Sequence, residues 1–307
     1  MRFSIFQDTD VGGRSINQDR MGYCFSRESL LMVLADGMGG HLRGEIAAQI
    51  AMQTVASMFQ QQAMPRLRDP VAFIEQALHA SHRELHRYRE LHGMNECPRT
   101  TIVACVVQDG HAWWGHAGDS RLYLLRDSDI LFRTLDHSKV QSLISLGLIT
   151  EAEAEVHPER NKVLNCLGSP FVPPVEIHAA FPLKAGDVMM LCSDGLWSGV
   201  SREELVREFR NEPLEMAVPR LIQSALNHNG VGADNTTVLA MKWDTDSSES
   251  DGLPSLSSMA LPDGAVTTTI AIANNLEAES VDMTEDEIDK TIAEIQEAIQ
   301  RSNKEVP

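Results

Sequence analysis

No two of the five cysteines form a C-x-x-C pair. Cys24, Cys97, Cys105, Cys166 and Cys192 are scattered and odd in number. They suggest neither a zinc cage nor a disulfide framework, and a reduced, cytoplasmic setting is expected. No apolar run approaches the roughly 18 residues that a membrane span needs. The opening "MRFSIFQDTD" has no basic region leading into a long apolar core, so no export signal is expected. Basic residues are few: 26 Lys and Arg against 44 Asp and Glu, a net charge of −18. Residues 244–307 carry −12 of it and residues 1–243 the other −6. A chain without a basic footprint is not expected to bind nucleic acid or an anionic membrane. The H-E-x-x-H spacing of zinc hydrolases and any internal repeat are also missing.

What is present is an alternation of strands and helices over the first 243 residues. "FSIFQDT", "LLMVLAD", "TIVACVVQD", "AWWGHAGD", "RLYLLR", "DVMMLCSD" and "NTTVLAMKW" are short and apolar or alternating, as strands are. Apolar residues at helical spacing predict helices over 44–59 and 70–91, the second with Pro70 at its first position. Shorter helices are expected at 138–146, 201–210 and 214–228. Several strands follow one another from 99 to 134, separated only by the hairpin turns "QDGH" and "RDSD". That favours antiparallel sheets with helices outside them over a doubly wound parallel sheet. From 244 the composition changes. Residues 244–282 read as an acidic, Ser- and Pro-rich linker, expected to tether rather than pack. In 283–307, Thr284 with Glu287 makes a capping box, and Ile288, Ile292, Ile295 and Ile299 form a narrow apolar stripe. This helix either folds back on the core or docks a partner.

The segment "VLADGMGGHLRGE" raises a chemical question. An apolar run stops at Asp36, and Gly37, Gly39, Gly40 and Gly44 follow before a helical pattern begins. A strand, a turn and a helix would use glycine in this way. So would a ligand site, where a carboxylate beside bare backbone admits a cation or a phosphate. Four more aspartates stand at the margins of apolar strands: Asp19, Asp119, Asp194 and Asp234. Carboxylates gathered at one edge raise each other's pKa unless a cation sits among them. An oxygen-only set suits Mg²⁺ or Mn²⁺ rather than zinc.

The ordered blocks "GGRSINQDR", "DGMGGHLRGE", "GHAGDSRLYLLR", "LCSDGLW" and "ADNTTV" resemble the signature blocks of the metal-dependent Ser/Thr protein phosphatases, the type 2C or PPM family, in bacterial form. "DHSKVQSLISLGLITEAEAEVHPERNKVLNCLG" is similar to the bacterial region that carries a mobile flap. The resemblance spans about residues 4–242. It implies an α+β fold, an antiparallel β-sandwich flanked by helices on both sides. It implies hydrolysis of phosphoserine and phosphothreonine in proteins, by attack of a hydroxide that bridges two Mn²⁺ or Mg²⁺ ions. Asp36 would bridge the ions, the Gly37 carbonyl would bind the first, and Asp194 and Asp234 would hold the second. Asp119 would join Asp194 at a third, weaker ion. Arg14 would bind the phosphate, while Asp19 and Asn235 would stand behind these groups. The partners implied are phosphorylated proteins made by an opposing Ser/Thr kinase.

Three positions depart from the family pattern. Gln18 stands where many relatives carry Glu, Met38 where eukaryotic relatives carry a His, and Ser198 where Asp is usual. None removes an expected inner ligand. The alternative is a phosphoprotein-binding regulator that keeps the fold and has lost most turnover. Retention of Asp36, Asp194 and Asp234 favours the enzyme. His41 has no assigned role, and Trp113 and Trp114 read as packing residues.

Overall fold

The structure, a computed structural model, describes residues 1–38, 43–244, 256–258 and 266–271. The chain divides into Met1–Ala273 and Asn274–Pro307, and the first unit is the one described. Its strands are β1 (Arg2–Asp10), β2 (Asp19–Phe25), β3 (Ser29–Asp36), β4 (Ile102–Gln108), β5 (His111–Ala117), β6 (Arg121–Arg126), β7 (Asp129–Arg133), β8 (Glu176–Pro182), β9 (Val188–Cys192), β10 (Thr236–Asp244), β11 (Leu256–Ser257) and β12 (Thr267–Ala271). Its helices are α1 (Gly44–Gln62), α2 (Pro70–Leu91), α3 (Lys139–Ser145), α4 (Glu151–Glu155), α5 (Asp194–Trp197), α6 (Arg202–Asn211) and α7 (Leu214–Asn229).

The unbroken apolar runs explain the layering. β3 is buried at every position before Asp36. A strand with one wet face alternates apolar and polar side chains, whereas a strand covered on both faces need not. Leu30, Met32 and Leu34 enter one core, and Leu31, Val33 and Ala35 enter another. The first core lies between the two sheets, where Leu191, Leu239 and Met241 of β9 and β10 meet them. The second is closed by α1 and α2 through Ile50, Val55, Phe59, Phe73 and Leu78. A third core puts Val188, Met190, Val238 and Ala240 against Leu205, Phe209, Leu221 and Ile222 of α6 and α7. The result is four layers, helix, sheet, sheet and helix. Each fully buried aliphatic side chain contributes about 1.5–3 kcal/mol, so these cores hold the scaffold rigid.

Both sheets have six strands, in the orders β11-β1-β10-β9-β6-β7 and β12-β2-β3-β4-β5-β8, and neighbours run antiparallel. The two expected hairpins turn on residues with positive φ, Asp109 (50°) with Gly110 (68°) and Asp127 (48°) with Ser128 (67°). Paired positive φ values match the twist of the flanking strands. The antiparallel sandwich flanked by helices is thus the fold that the motif blocks implied. α2 starts as expected: Pro70 takes the first position, and the Asp69 side chain accepts a hydrogen bond from the Ala72 N–H at 3.1 Å. The short α4, α5 and β8 were not expected. β8 is half-exposed along its length and carries little apolar patterning.

Within the stretch 244–282, expected to tether, two short segments pair with the sheets. Leu256 and Ser257 pair with Phe3 and Arg2 of β1, and Thr267–Ala271 pairs with Phe25 to Met21 of β2. Ser258 is fully buried, and its hydroxyl donates to the Arg27 carbonyl at 2.6 Å. Thr268 Oγ1 accepts from Gln60 of α1 at 2.5 Å. An edge strand is held by main-chain hydrogen bonds that its neighbour already offers, so it needs little apolar content. The β-branched run "TTTI" suits the extended backbone. The helix expected within 283–307 lies outside the described residues. Among the described residues no helix is long and apolar enough to cross a membrane.

Ending the chain at Asp244 should lower stability by about 2 kcal/mol, a fall of roughly 4–8 °C in Tm. Differential scanning calorimetry of the two lengths checks this. An unchanged Tm would mean that the tail strands contribute nothing.

Candidate active site

Five aspartates reach one end of the sandwich by separate routes. Asp19 opens β2 and Asp36 closes β3, and the antiparallel ladder sets them directly opposite each other. In the other sheet, Arg121 and Val238 both pair with Cys192. The start of β6, the end of β9 and the start of β10 therefore lie side by side. Just beyond these strand ends stand Asp119, Asp194 and Asp234. Hydrogen bonds tie the two groups together. The Thr101 N–H donates to the Asp36 carbonyl at 2.8 Å, and the Thr101 and Ser120 hydroxyls meet at 2.7 Å.

Local packing fixes the rest. A Cβ on Gly37 would lie 2.2 Å from the Gly44 carbonyl oxygen and 2.8 Å from that of Gln18. Only glycine lets the start of α1 approach Asp36 so closely. Asn235 fastens the loop that carries Arg14: its Nδ2 donates to the Val11 and Ile16 carbonyls at 2.9 and 3.1 Å, and its Oδ1 accepts from the Gln18 N–H at 2.8 Å. Arg14 Nη2 donates to Asp234 Oδ2 at 2.7 Å, with both side chains partly exposed. Gln18, at the position of the missing Glu, donates from Nε2 to Glu45 at 3.2 Å.

The electrostatics are those of carboxylates in a crowded, poorly hydrated place. Burial pushes Asp36 well above the usual carboxylate range, and Asp19, Asp194, Asp119 and Asp234 add to it. Burial also raises Asp194, with Asp119, Asp234 and Asp19 adding and Arg14 relieving. Asp119 is pushed up to about 7 by burial and then by Asp136. Asp19 rises to about 6, chiefly through burial. No hydrogen bond of good geometry reaches either oxygen of the buried Asp19, and the nearby Thr237 and Ser193 hydroxyls only partly offset the cost of its burial. Unpartnered buried carboxylate oxygens are costly, and this donor set of oxygens alone fits hard divalent cations such as Mg²⁺ or Mn²⁺.

A second group brings ligand atoms of His116, His137 and Glu176 within 4.8 Å of one another. It does not fit a metal. The two imidazoles stack with centroids 4.4 Å apart and planes 24° apart, so their in-plane lone pairs do not converge. His137 Nδ1 also accepts from the Gly118 N–H at 3.3 Å and faces Asn165 Nδ2 at 2.7 Å. That leaves the proton on Nε2, facing Glu176 at 3.4 Å.

All of the expected site residues (Arg14, Asp19, Asp36, Gly37, Asp119, Asp194, Asp234 and Asn235) belong to this one end of the sandwich. Trp114 is buried in the inter-sheet core and stacks on His178 at 4.6 Å, and Trp113 packs against the α1–α2 core. His41 lies outside the described residues. Thr101, Ser120, Asp136 and Trp197 were not singled out from the sequence. Ser120, Asp136 and Trp197 do lie inside recognised blocks, but Thr101 carries no such signal.

An oxygen-lined cradle for hard cations, at one end of a four-layer sandwich, defines a class of metal-dependent hydrolase folds. The protein phosphatase 2C family matches residues 11–228. The chain belongs to that family. It is 34% identical over 227 residues to the serine/threonine protein phosphatase PstP of Mycobacterium tuberculosis, an alignment covering 74% of this chain and 42% of that protein. It thus spans less than half of that relative's length. Protein phosphatase PhpP of Streptococcus pneumoniae is 30% identical over 249 residues, covering 78% of this chain and 98% of PhpP. The crystal structure of the PstP catalytic domain in complex with two manganese ions superposes with a TM-score of 0.67 at 30% identity, covering 79% of this chain and 99% of that one.

The raised pKa values make a prediction for chelator-treated protein. Asp119 holds its proton up to about pH 7 when folded, against 3.8 when unfolded, so its cost to stability grows as pH rises from about 4 to 7. Asp119→Asn should therefore raise Tm at pH 7.5, and the gain should vanish as pH falls to 4. Thermal melts across that range check it, and a gain independent of pH would refute the electrostatic cause.

Proposed function

We propose that this protein hydrolyses phosphoserine and phosphothreonine in other proteins, with Mn²⁺ or Mg²⁺ as cofactor. The observation that carries the reading is the meeting of five aspartates from both sheets at one end of a fold shared with bacterial Ser/Thr phosphatases. Asp36, the Gly37 carbonyl, Asp194 and Asp234 would hold two ions, and Asp119 with Asp194 a third, weaker one. When bound, the ions neutralise these carboxylates and lower the pKa of water enough to make it a nucleophile at neutral pH.

The chain's own residues do the rest. Arg14 lies partly exposed beside Asp234, and its planar fork suits two oxygens of a phosphoryl group. Asn235 holds the Arg14 loop to the start of β10, which fixes the distance between phosphate-binding and carboxylate groups. Thr101 and Ser120 keep the carboxylates of the two sheets in register. Met38 carries no titratable proton, so the leaving alkoxide takes its proton from water or from another group. The substrates would be the products of an opposing Ser/Thr kinase in the cytoplasm.

Phosphate release from a phosphothreonine peptide, measured with and without Mn²⁺, tests the reading. Asp36→Asn and Asp194→Asn should each abolish turnover with the fold intact by circular dichroism, because an amide cannot neutralise a dication. Wild-type rates from either variant would sink the assignment. Arg14→Ala should lower kcat/KM roughly 10- to 150-fold, the loss of about 1.5–3 kcal/mol for a charged hydrogen bond. Its Mn²⁺ affinity should stay near that of the parent. A drop in metal affinity without a loss of catalysis would remove Arg14 from the phosphate site.

A further inference from the structure

Beside the five aspartates lies a second set of polar groups that the reaction does not use. Arg121 is almost wholly buried. It donates through Nε and Nη2 to both oxygens of Asp136, at 2.8 and 2.7 Å, and through Nη1 to the Tyr123 hydroxyl at 3.1 Å. A buried guanidinium needs such a paired acceptor, and the two-point fork fixes its plane. Its Cζ lies over the Trp197 ring, 3.7 Å from the centroid. Trp197 in turn donates from Nε1 to the Asp119 carbonyl at 3.0 Å.

The connectivity gives this arrangement its meaning. Trp197 is the last residue of α5, whose first residue is Asp194. The four-residue helix thus joins an aspartate at one end to a ring at the other. The ring reaches across to the main chain of Asp119, two residues before the arginine on which it stacks. On its other side the Asp119 loop is held at Gly118, whose carbonyl accepts from the His137 N–H at 2.9 Å, next to Asp136. Asp119 and Asp194 come from different segments and repel each other. The β6–β9 ladder ends at Arg121 and Cys192, so beyond it the indole N–H is a side-chain link that opposes this repulsion.

We propose that Arg121 and Trp197 are positioning residues for the Asp119–Asp194 pair, a stacked clamp that sets the spacing of the two carboxylates for a weakly held divalent cation. Asp136 pins the arginine, the arginine supports the indole, and the indole N–H holds the Asp119 backbone. The inference rests on the reading that Asp119 and Asp194 share such an ion.

Equilibrium Mn²⁺ binding to the full chain, followed by electron paramagnetic resonance of the free ion, tests it. Trp197→Phe keeps a ring over the guanidinium and removes only the N–H. It should weaken the weakest class of Mn²⁺ roughly 2- to 10-fold, the loss of one hydrogen bond, and leave the tighter class unchanged. Arg121→Lys loses the fork and the flat stacking face, and should weaken the same class further. Asp119→Asn is the reference and should abolish that class. If the weak class survives in Asp119→Asn, the metal reading of Asp119 fails and the clamp fails with it. If it is lost there but unchanged in Trp197→Phe, the clamp alone is wrong. Parallel weakening of both classes in Trp197→Phe would show general loosening, and would also overturn the proposal.

Discussion

The repulsion among carboxylates that the fold forces together governs the architecture at this end of the molecule. Asp19 and Asp36 face each other across a ladder, and three more aspartates come from the neighbouring sheet. Such a group would spread apart if its backbones were free. They are not free, because each aspartate adjoins a strand whose side chains are buried in the inter-sheet core or in a helix-covered core. The apolar layers therefore supply the force that holds charge against charge. Crossed hydrogen bonds through Thr101, Ser120 and Asn235 convert that force into fixed positions.

This arrangement separates two duties among residues of the same type. Asp187 is also a fully buried aspartate, but Arg126 meets both of its oxygens at 2.7 and 2.6 Å. Asp136 is matched to Arg121 in the same way. Those two carboxylates are satisfied inside the protein and serve structure. Asp19 is also buried, but among the described residues no arginine or lysine pairs with it, and the Thr237 and Ser193 hydroxyls only ease its charge. Among these buried aspartates, then, Asp187 and Asp136 are each answered by an arginine fork, whereas Asp19 is not and stands with the group at the end of the sandwich.

Much of this was legible in the residues. Strand ends marked by aspartate, turns with "QDGH" and "RDSD", and the Asp69–Pro70 helix start all carry local chemical signals, and the structure follows them. Each of the five motif blocks places an aspartate at a strand margin, some at a start and some at an end, and the antiparallel pairing brings those margins to one end of the sandwich. What was not legible depends on contacts between distant segments. α5 is a single turn set by packing of Leu196 and Trp197, and β8 has no periodicity of its own. The clamp needs Arg121, Asp136 and Trp197 together, and nothing in any one of them announces the others. The tail strands were hidden for another reason: composition reports the ability to build a core, while an edge strand borrows one.

Those tail strands have a kinetic consequence. β11 closes the β1 side of one sheet and β12 the β2 side of the other, and only seven residues separate Ser258 from Val266. Once either strand is seated, the other searches for its edge at the high effective concentration of a short tether rather than from bulk solution. The two pairings are therefore cooperative, forming and opening as one event. A single cut in the connecting residues would turn that event into two independent and individually weak ones. An intact tail covers an edge of each sheet, and a nicked tail would leave the β2 edge open to strands from other molecules.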